Sequence, residues 1–391
     1  MAPQVGTAVL SSPAFQQEQK NSSLTFANLT AQTCHAPADL LPMERPLFLY
    51  LYPIILLTCV AGNSANLLVY WHRFLRAAPT IRLLAAKAVA NALCVISLLP
   101  RFAHLLPADL KHTAVENFYW KTLPVTLFLI NLFGTVAIWL TVAVTVESYI
   151  MVAFPAQAKF WCSIRNAYLC IVGCFVAAIA LQVFYLLCRQ VVPVVCPNMK
   201  TYFYLLSTGL PGYEKLYYWA NALSTLFIPM VTMLALSLLI YYQLFWAKRR
   251  FRQGSEQKRC VTRLSLATTA CHLVFEMPHV VNFIIAAVDH TLAHQWRRRF
   301  PWQQFAAVAN FLSMLDASLT FFVYFACSER FRQICYFTLC RSRHDRYCNQ
   351  LVLLQENKER QSWTESTDKP HPTCLQQCTS NSPDTQTACS V

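Results

Sequence analysis

The sequence predicts an all-α membrane protein, a seven-transmembrane helix bundle with a short amphipathic surface helix after the last span. Hydrophobic residues make up 56% of the 391 residues and charged residues only 13%, a balance suited to lipid and not to water. Seven segments are long and apolar enough to cross the roughly 30 Å hydrocarbon layer, which takes about 20 residues at about 1.5 Å each. The connections between them are short, with no internal repeat and nothing resembling a soluble catalytic domain, so the bundle is the folded unit and function must reside in it.

Four of the segments, Pro46–Trp71, Leu123–Val146, Asn166–Cys188 and Leu216–Ala247, contain no Asp, Glu, Lys or Arg. Span two, about Leu83 to His104, carries Lys87 in its first turns, where a four-carbon stem can reach the headgroups. Span six, about Leu264 to Val288, contains Glu276, and span seven, about Phe300 to Ala326, contains Asp316. Ionisable groups at that depth are expensive and are expected to face a polar bundle interior. Ser328 to Cys340 reads as an amphipathic helix on the membrane surface, apolar at Phe331, Ile334, Phe337 and Leu339 and basic at Arg330, Arg332 and Arg341. The chain therefore divides into an amino-terminal segment, 1–45, the bundle, 46–326, the surface helix, 327–341, and a polar, disordered cytoplasmic tail, 342–391.

The net charge of +14 resides in short cationic clusters between apolar spans, where anionic membrane lipids are the expected partner and nucleic acid is not. Orientation follows from two signals. Asn21-Ser22-Ser23 and Asn28-Leu29-Thr30 are glycosylation sequons before the first span, which places the amino terminus outside. Lys248, Arg249, Arg250, Arg252, Lys258, Arg259 and Arg263 crowd the connection between spans five and six, which the positive-inside rule puts in the cytoplasm with the carboxyl tail. Arg297, Arg298 and Arg299 run against the rule, which is decided by the whole balance. The amino terminus has no basic start followed by an apolar stretch, so the first span is expected to direct insertion itself into the plasma membrane.

Further sequence features can be set against a family pattern. Span one holds Gly62-Asn63, and span two holds Ala88 to Leu93 with Asn91 inside. Span three ends Ile138-Trp139-Leu140-Thr141 and then Glu147-Ser148-Tyr149. Spans five and six carry Pro229 and Pro278, each lacking the backbone donor that keeps a helix straight. Span seven ends Thr320-Phe321-Phe322-Val323-Tyr324, followed by Ser328-Glu329-Arg330-Phe331-Arg332. Jointly, over residues 46 to 340, these resemble a class A (rhodopsin-like) G-protein-coupled receptor, and most nearly the branch of FMRFamide-type receptors and of orphans for aromatic amino acids or short peptides.

The resemblance implies a receptor for an extracellular short peptide or small aromatic, amine-like ligand, signalling to a heterotrimeric G protein. It assigns switch or coupling positions to Asn63, Asn91, Glu147, Ser148, Tyr149, Pro229, Pro278 and Tyr324. Several depart from the pattern: Asn91 stands where the family's sodium-binding Asp belongs, Ser148 replaces the Arg of Asp-Arg-Tyr, Glu276 replaces a Trp, and of Asn-Pro-x-x-Tyr only Tyr324 remains. Ser148 cannot act through charge, so a receptor-like protein that does not activate G proteins, serving as a decoy, a partner subunit or an arrestin-biased receptor, is the alternative reading. A transporter or channel is disfavoured by the absence of repeat symmetry and of paired broken helices.

By alignment with that family, Asn131, Asn221, Phe283 and Asn310 fall at ligand-binding depth. Glu276 reads equally as the counter-ion of a cationic ligand and as a protonated carboxyl hydrogen-bonded within the bundle, while Asp316 reads as part of a polar interhelical network. Aromatics such as Tyr119, Trp120, Tyr185, Tyr217, Tyr218 and Trp219 suit a peptide pocket or, more simply, an interfacial belt. Leu123 holds the family's disulfide position in span three, so Cys196 would need Cys34 or Cys188 as its partner. Cys335 and Cys340, beside the surface helix, are either palmitoylated or free thiols. The His residues show no paired metal spacing, no cofactor is implied, and no nucleophile and base are arranged for an enzyme.

Overall fold

The computed structural model describes residues 44–106, 113–195, 201–207, 216–217, 219–246, 256–288 and 300–339. Seven long helices follow one another, as the apolar runs require. Span one is a π-helical turn, Leu47–Leu51, continued by Tyr52–Tyr70, and span two is Pro79–Ile96 followed by Leu99–Leu105. Span three is a single helix, Thr113–Ala153, and span four is Ile164–Leu187. Span five combines a π-helical turn, Ala222–Phe227, with Ile228–Trp246, span six is Glu256–Val288, and span seven is Phe300–Cys327. The surface helix is Glu329–Leu339. The bundle lies within a unit Met1–Thr338; of the second unit, Leu339–Val391, only Leu339 is described.

Six of these helices are long and apolar enough to span a membrane; span six is not among them. Its buried face is polar, with Thr262, Ser265, Thr268, Thr269, His272, Glu276 and His279, which lowers its hydropathy without shortening it. Span three is the hub, packing against spans two, four, five and six, while span seven packs against six and one. Large apolar side chains such as Val172, Val176, Leu234, Leu238 and Val274 are exposed on the bundle's flank, the arrangement expected of a lipid-facing surface.

Several boundaries differ from the sequence reading. Span two begins four residues before Leu83 and is interrupted after Ile96, where Pro100 opens a second short helix. Lys87 is corrected outright. It is only 2% exposed and sits within the bundle, in the field of Asp316, Cys271 and Glu276, because two turns of helix already separate it from the end of the span. Its amine stays in the interior, within the electrostatic reach of Asp316 and Glu276, and does not reach headgroups. Lys258, Arg259 and Arg263, read as a loop, stand on the first turns of span six.

Local chemistry explains the joints. Pro229 cannot donate to the carbonyl one turn before it, and the widened π-helical turn Ala222–Phe227 lies directly ahead of it. Ser328 caps the surface helix by accepting from the Phe331 backbone N–H at 3.3 Å. Arg332 Nη1 donates to the Phe325 and Ala326 carbonyls, the otherwise unpaired end of span seven. Phe331, Ile334 and Cys335 then face the bundle core. Between spans four and five the chain forms an antiparallel hairpin, β1 (Arg189–Val195) with β2 (Thr201–Ser207), in which Arg189 pairs with Ser207 and Val195 with Thr201. The β-branched and aromatic run in both strands is the local reason.

Span one meets span seven at Gly62, where an added Cβ would lie 3.2 Å from the Phe321 Cβ, whereas one at Gly173 on span four would meet nothing within 4 Å. Replacing Gly62 with Val is therefore expected to destabilise the bundle by about 1–3 kcal/mol. Gly173→Ala should leave stability unchanged or slightly raised. Thermal unfolding of the purified protein in detergent compares the two, and equal losses in both would show that span one does not depend on this contact.

Candidate functional site

Polar side chains, which an apolar chain places in its interior only at a cost, form a series of layers between the helices of the bundle. Nearest the hairpin, His104 stacks on Tyr119 with centroids 4.1 Å apart, and Trp120 meets both rings edge-on. Arg101 lies 4.6 Å over the ring of Phe48. Val191 of β1 packs on the cluster of Tyr119, Leu123 and Leu127. Tyr119 is 2% exposed, so here it serves the core and not a belt.

The second layer centres on Gln182 of span four, 1% exposed. Its Nε2 donates to Thr135 Oγ1 and Asn221 Oδ1, both at 2.9 Å, and the Tyr217 hydroxyl donates to its Oε1 at 2.8 Å. Spans three, four and five are thereby joined through one amide, a residue the sequence reading did not single out. Asn131 is buried nearby and donates to the Leu127 carbonyl at 2.8 Å. Asn310 is half-buried on span seven, beside the buried His279 of span six. Phe283 lies in span six, with its side chain outside the described set.

The third layer is ionisable. His272 Nδ1 and Asp316 Oδ2 are 2.8 Å apart across spans six and seven. One turn along, Ser313 donates to Glu276 Oε1, while Glu276 Oε2 has no hydrogen-bond partner among the described residues. Lys87 approaches the same carboxylates from span two. Asn63 Nδ2 donates to the Cys59 and Ala317 carbonyls at 2.9 and 3.0 Å, tying span one to span seven. Asn91 is buried, and its Nδ2 has no partner among the described residues. Sequence inspection found no metal spacing, yet His272, Glu276 and Asp316 each offer an atom within 4.8 Å of the others. Two of the three stand one turn apart on span six, a separation that was readable.

The fourth layer closes the bundle at the Ser148 end. Thr145 and Thr269 hydroxyls are 2.7 Å apart, and Ser148 Oγ donates to Ser265 Oγ at 2.6 Å, so spans three and six meet through neutral hydroxyls. Tyr324 is fully buried and hydrogen-bonded to Thr268, with Tyr70 packed beside it. Glu147 is buried near Thr80, and Tyr149 meets Phe154 edge-on at 6.0 Å. Pro229 is buried in span five, and Pro278 lies inside the continuous helix of span six.

A model of the family described as serpentine type 7TM GPCR chemoreceptor Srw matches residues 50–342, the whole of the layered bundle. The chain belongs to this G-protein-coupled receptor family. It is therefore a multi-pass membrane protein and not an enzyme. A probable G-protein coupled receptor of Caenorhabditis elegans is 26% identical over 309 residues, covering 73% of this chain and 67% of that one. The sex peptide receptor of Drosophila melanogaster is 23% identical over 378 residues, covering 85% and 81%, and the FMRFamide receptor of the same organism is 24% identical over 211 residues, covering 51% and 36%.

The modification sites fall differently. Cys188, at the end of span four, is a free thiol in this structure, and the other two disulfide candidates, Cys34 and Cys196, lie outside the described residues. Cys335 is 3% exposed and turned toward the receptor core, not the membrane, because Phe331, Ile334 and Cys335 share the inward face of the surface helix. Cys340, Asn21 and Asn28 are outside the described residues.

Two contacts give unequal expectations for stability. Asp316→Ala leaves His272 without its buried hydrogen-bond partner and should cost about 3 kcal/mol or more. Ser148→Ala removes a neutral hydrogen bond and should cost about 1 kcal/mol, with Ser265→Ala adding little in the double variant. Thermal unfolding of the four proteins measures both, and a Ser148→Ala loss as large as that of Asp316→Ala would contradict the ranking.

Proposed function

We propose that this receptor binds a short peptide, or a small aromatic ligand with a cationic group, from outside the cell and passes the signal to a heterotrimeric G protein by rearranging spans five, six and seven. The observation that carries the reading is the succession of polar contacts between the helices, Gln182 with Asn221, Ser313 with Glu276 and Ser148 with Ser265. A ligand resting on Asn131, Asn221 and Asn310 and on the helical turn of Phe283 would bear on span six above Glu276. Displacement there reaches Thr268, Thr269 and Ser265 through the same helix. Switching of this kind needs two packings of one bundle that the ligand binds unequally. The names of two relatives, receptors for the sex peptide and for FMRFamide, favour a peptide.

In this reading the amino terminus, with Asn21 and Asn28 glycosylated, is extracellular, the tail is cytoplasmic, and the membrane is the plasma membrane. The hairpin end of the bundle is then the ligand entrance, and the Ser148 end faces the G protein. A second reading is favoured by one specific feature. Ser148 supplies no charge at the coupling position, which fits a receptor that binds ligand without activating G proteins.

Cells expressing the wild type or Ser148→Arg, exposed to a panel of amidated and aromatic short peptides, separate the two. Activation by the wild type supports signalling; binding with no activation in either protein, at normal surface level, supports the silent receptor. Glu276→Gln should weaken binding of a cationic peptide at least about tenfold, consistent with loss of a buried charge partner. Binding unchanged by that substitution at equal surface level removes Glu276 from the ligand's reach.

A further inference from the structure

We infer that His272, Glu276 and Asp316 form a binding site for a divalent transition-metal ion of the zinc class, in the middle of the bundle between spans six and seven. The inference is independent of which ligand the receptor takes and of whether it couples to a G protein.

Three observations carry it. The residues offer an imidazole nitrogen and two carboxylate oxygens, all within 4.8 Å of one another. In a tetrahedral site with bonds of about 2.0–2.1 Å, neighbouring donor atoms stand about 3.3 Å apart, so no pair must close by more than about 1.5 Å and the His272–Asp316 pair, now at 2.8 Å, must open slightly. The three residues sit on two adjacent helices, two of them one turn apart, so the movement is a matter of side-chain rotation. Glu276 is 2% exposed and its Oε2 has no hydrogen-bond partner among the described residues, a buried acceptor that a cation would satisfy. Finally, the donor set discriminates. One imidazole with two carboxylates suits zinc and its neighbours, whereas calcium takes six to eight oxygens and magnesium prefers to keep its own water.

Charge sets the terms of binding. Two carboxylates face the amine of Lys87, whose Nζ has no hydrogen-bond partner among the described residues. A coordinating imidazole must be neutral, so His272 would hold the ion through a bare ring nitrogen. Three protein ligands leave a fourth position open, which a water or a donor from a bound molecule can fill. Lys87 lies in the field of the same two carboxylates and is therefore the ion's competitor for them. That yields a signature a purely structural polar cluster cannot produce: removing Lys87 should tighten metal binding.

The test uses the purified full-length protein in detergent, freed of metal by a chelator and titrated with zinc chloride, with calcium and magnesium chloride as controls. The wild type is expected to show a saturable rise in Tm with zinc and none with the controls. Glu276→Gln and His272→Ala should lower the zinc affinity at least about tenfold, the range in which metal sites respond to altered support. Lys87→Met should raise it. No zinc-dependent rise in the wild type overturns the proposal. So does a rise that persists unchanged in Glu276→Gln and His272→Ala, which would mark an adventitious ion on the surface, and so does weaker zinc binding in a folded Lys87→Met.

Discussion

The constraint on which the bundle depends is the need to satisfy charge in its interior. His272 and Asp316 are joined at 2.8 Å across spans six and seven, Ser313 donates to Glu276, and Lys87 of span two lies in the field of both carboxylates. In a medium of low dielectric none of these groups can stand alone, and the three helices are therefore held in one register relative to each other. The apolar packing around them is permissive by comparison. Leu, Val and Ile faces slide past one another at modest cost, whereas a buried carboxylate displaced by one turn has nowhere to go. Spans one and seven are locked to the same frame by Asn63, which donates to the Ala317 carbonyl one residue from Asp316.

Span three plays the complementary part. Its contacts with the neighbouring spans are made by hydroxyls and amides: Thr135 with Gln182, Thr145 with Thr269 and Ser148 with Ser265. Each joins two neutral groups, whereas the layer between spans six and seven carries the carboxyl groups of Asp316 and Glu276. The bundle thus has one stiff seam and one soft seam, and the soft one runs along the helix that touches the most neighbours. A receptor that must adopt two packings needs that division.

The seven helices were legible because lipid imposes a length and a composition that few other sequences meet. The boundaries were less so. Thr113–Ala153 runs far beyond its apolar centre, and span six, rich in Thr and His on its buried face, would be the weakest by hydropathy alone. Of the site, Glu276 and Asp316 stood out as ionisable residues in apolar runs. Their partners did not. Lys87 looked like an interfacial lysine because the apolar run begins near Leu83, whereas the helix begins at Pro79 and so places Lys87 two turns inside, on a buried face. Gln182, an ordinary amide in span four, gave no sign that it joins three helices, since its partners lie 39 and 47 residues away. The hairpin of Val191, Val192, Val194 and Val195 with Tyr202, Phe203 and Tyr204 was readable as β-branched and aromatic alternatives to helix, but the long apolar spans on either side masked it.

The meeting of Ser148 with Ser265 carries a further consequence for how such a bundle would respond to its surroundings. A hydroxyl pair moves no net charge when it parts, so its opening does no work against the transmembrane potential. Nor is it tuned by the ions that screen charged pairs, because there is no charge to screen. A contact of about 1 kcal/mol shifts the ratio of two packings only about fivefold. Membrane voltage and bulk salt would leave this particular contact untouched, and small changes in packing along span six would be enough to outweigh it.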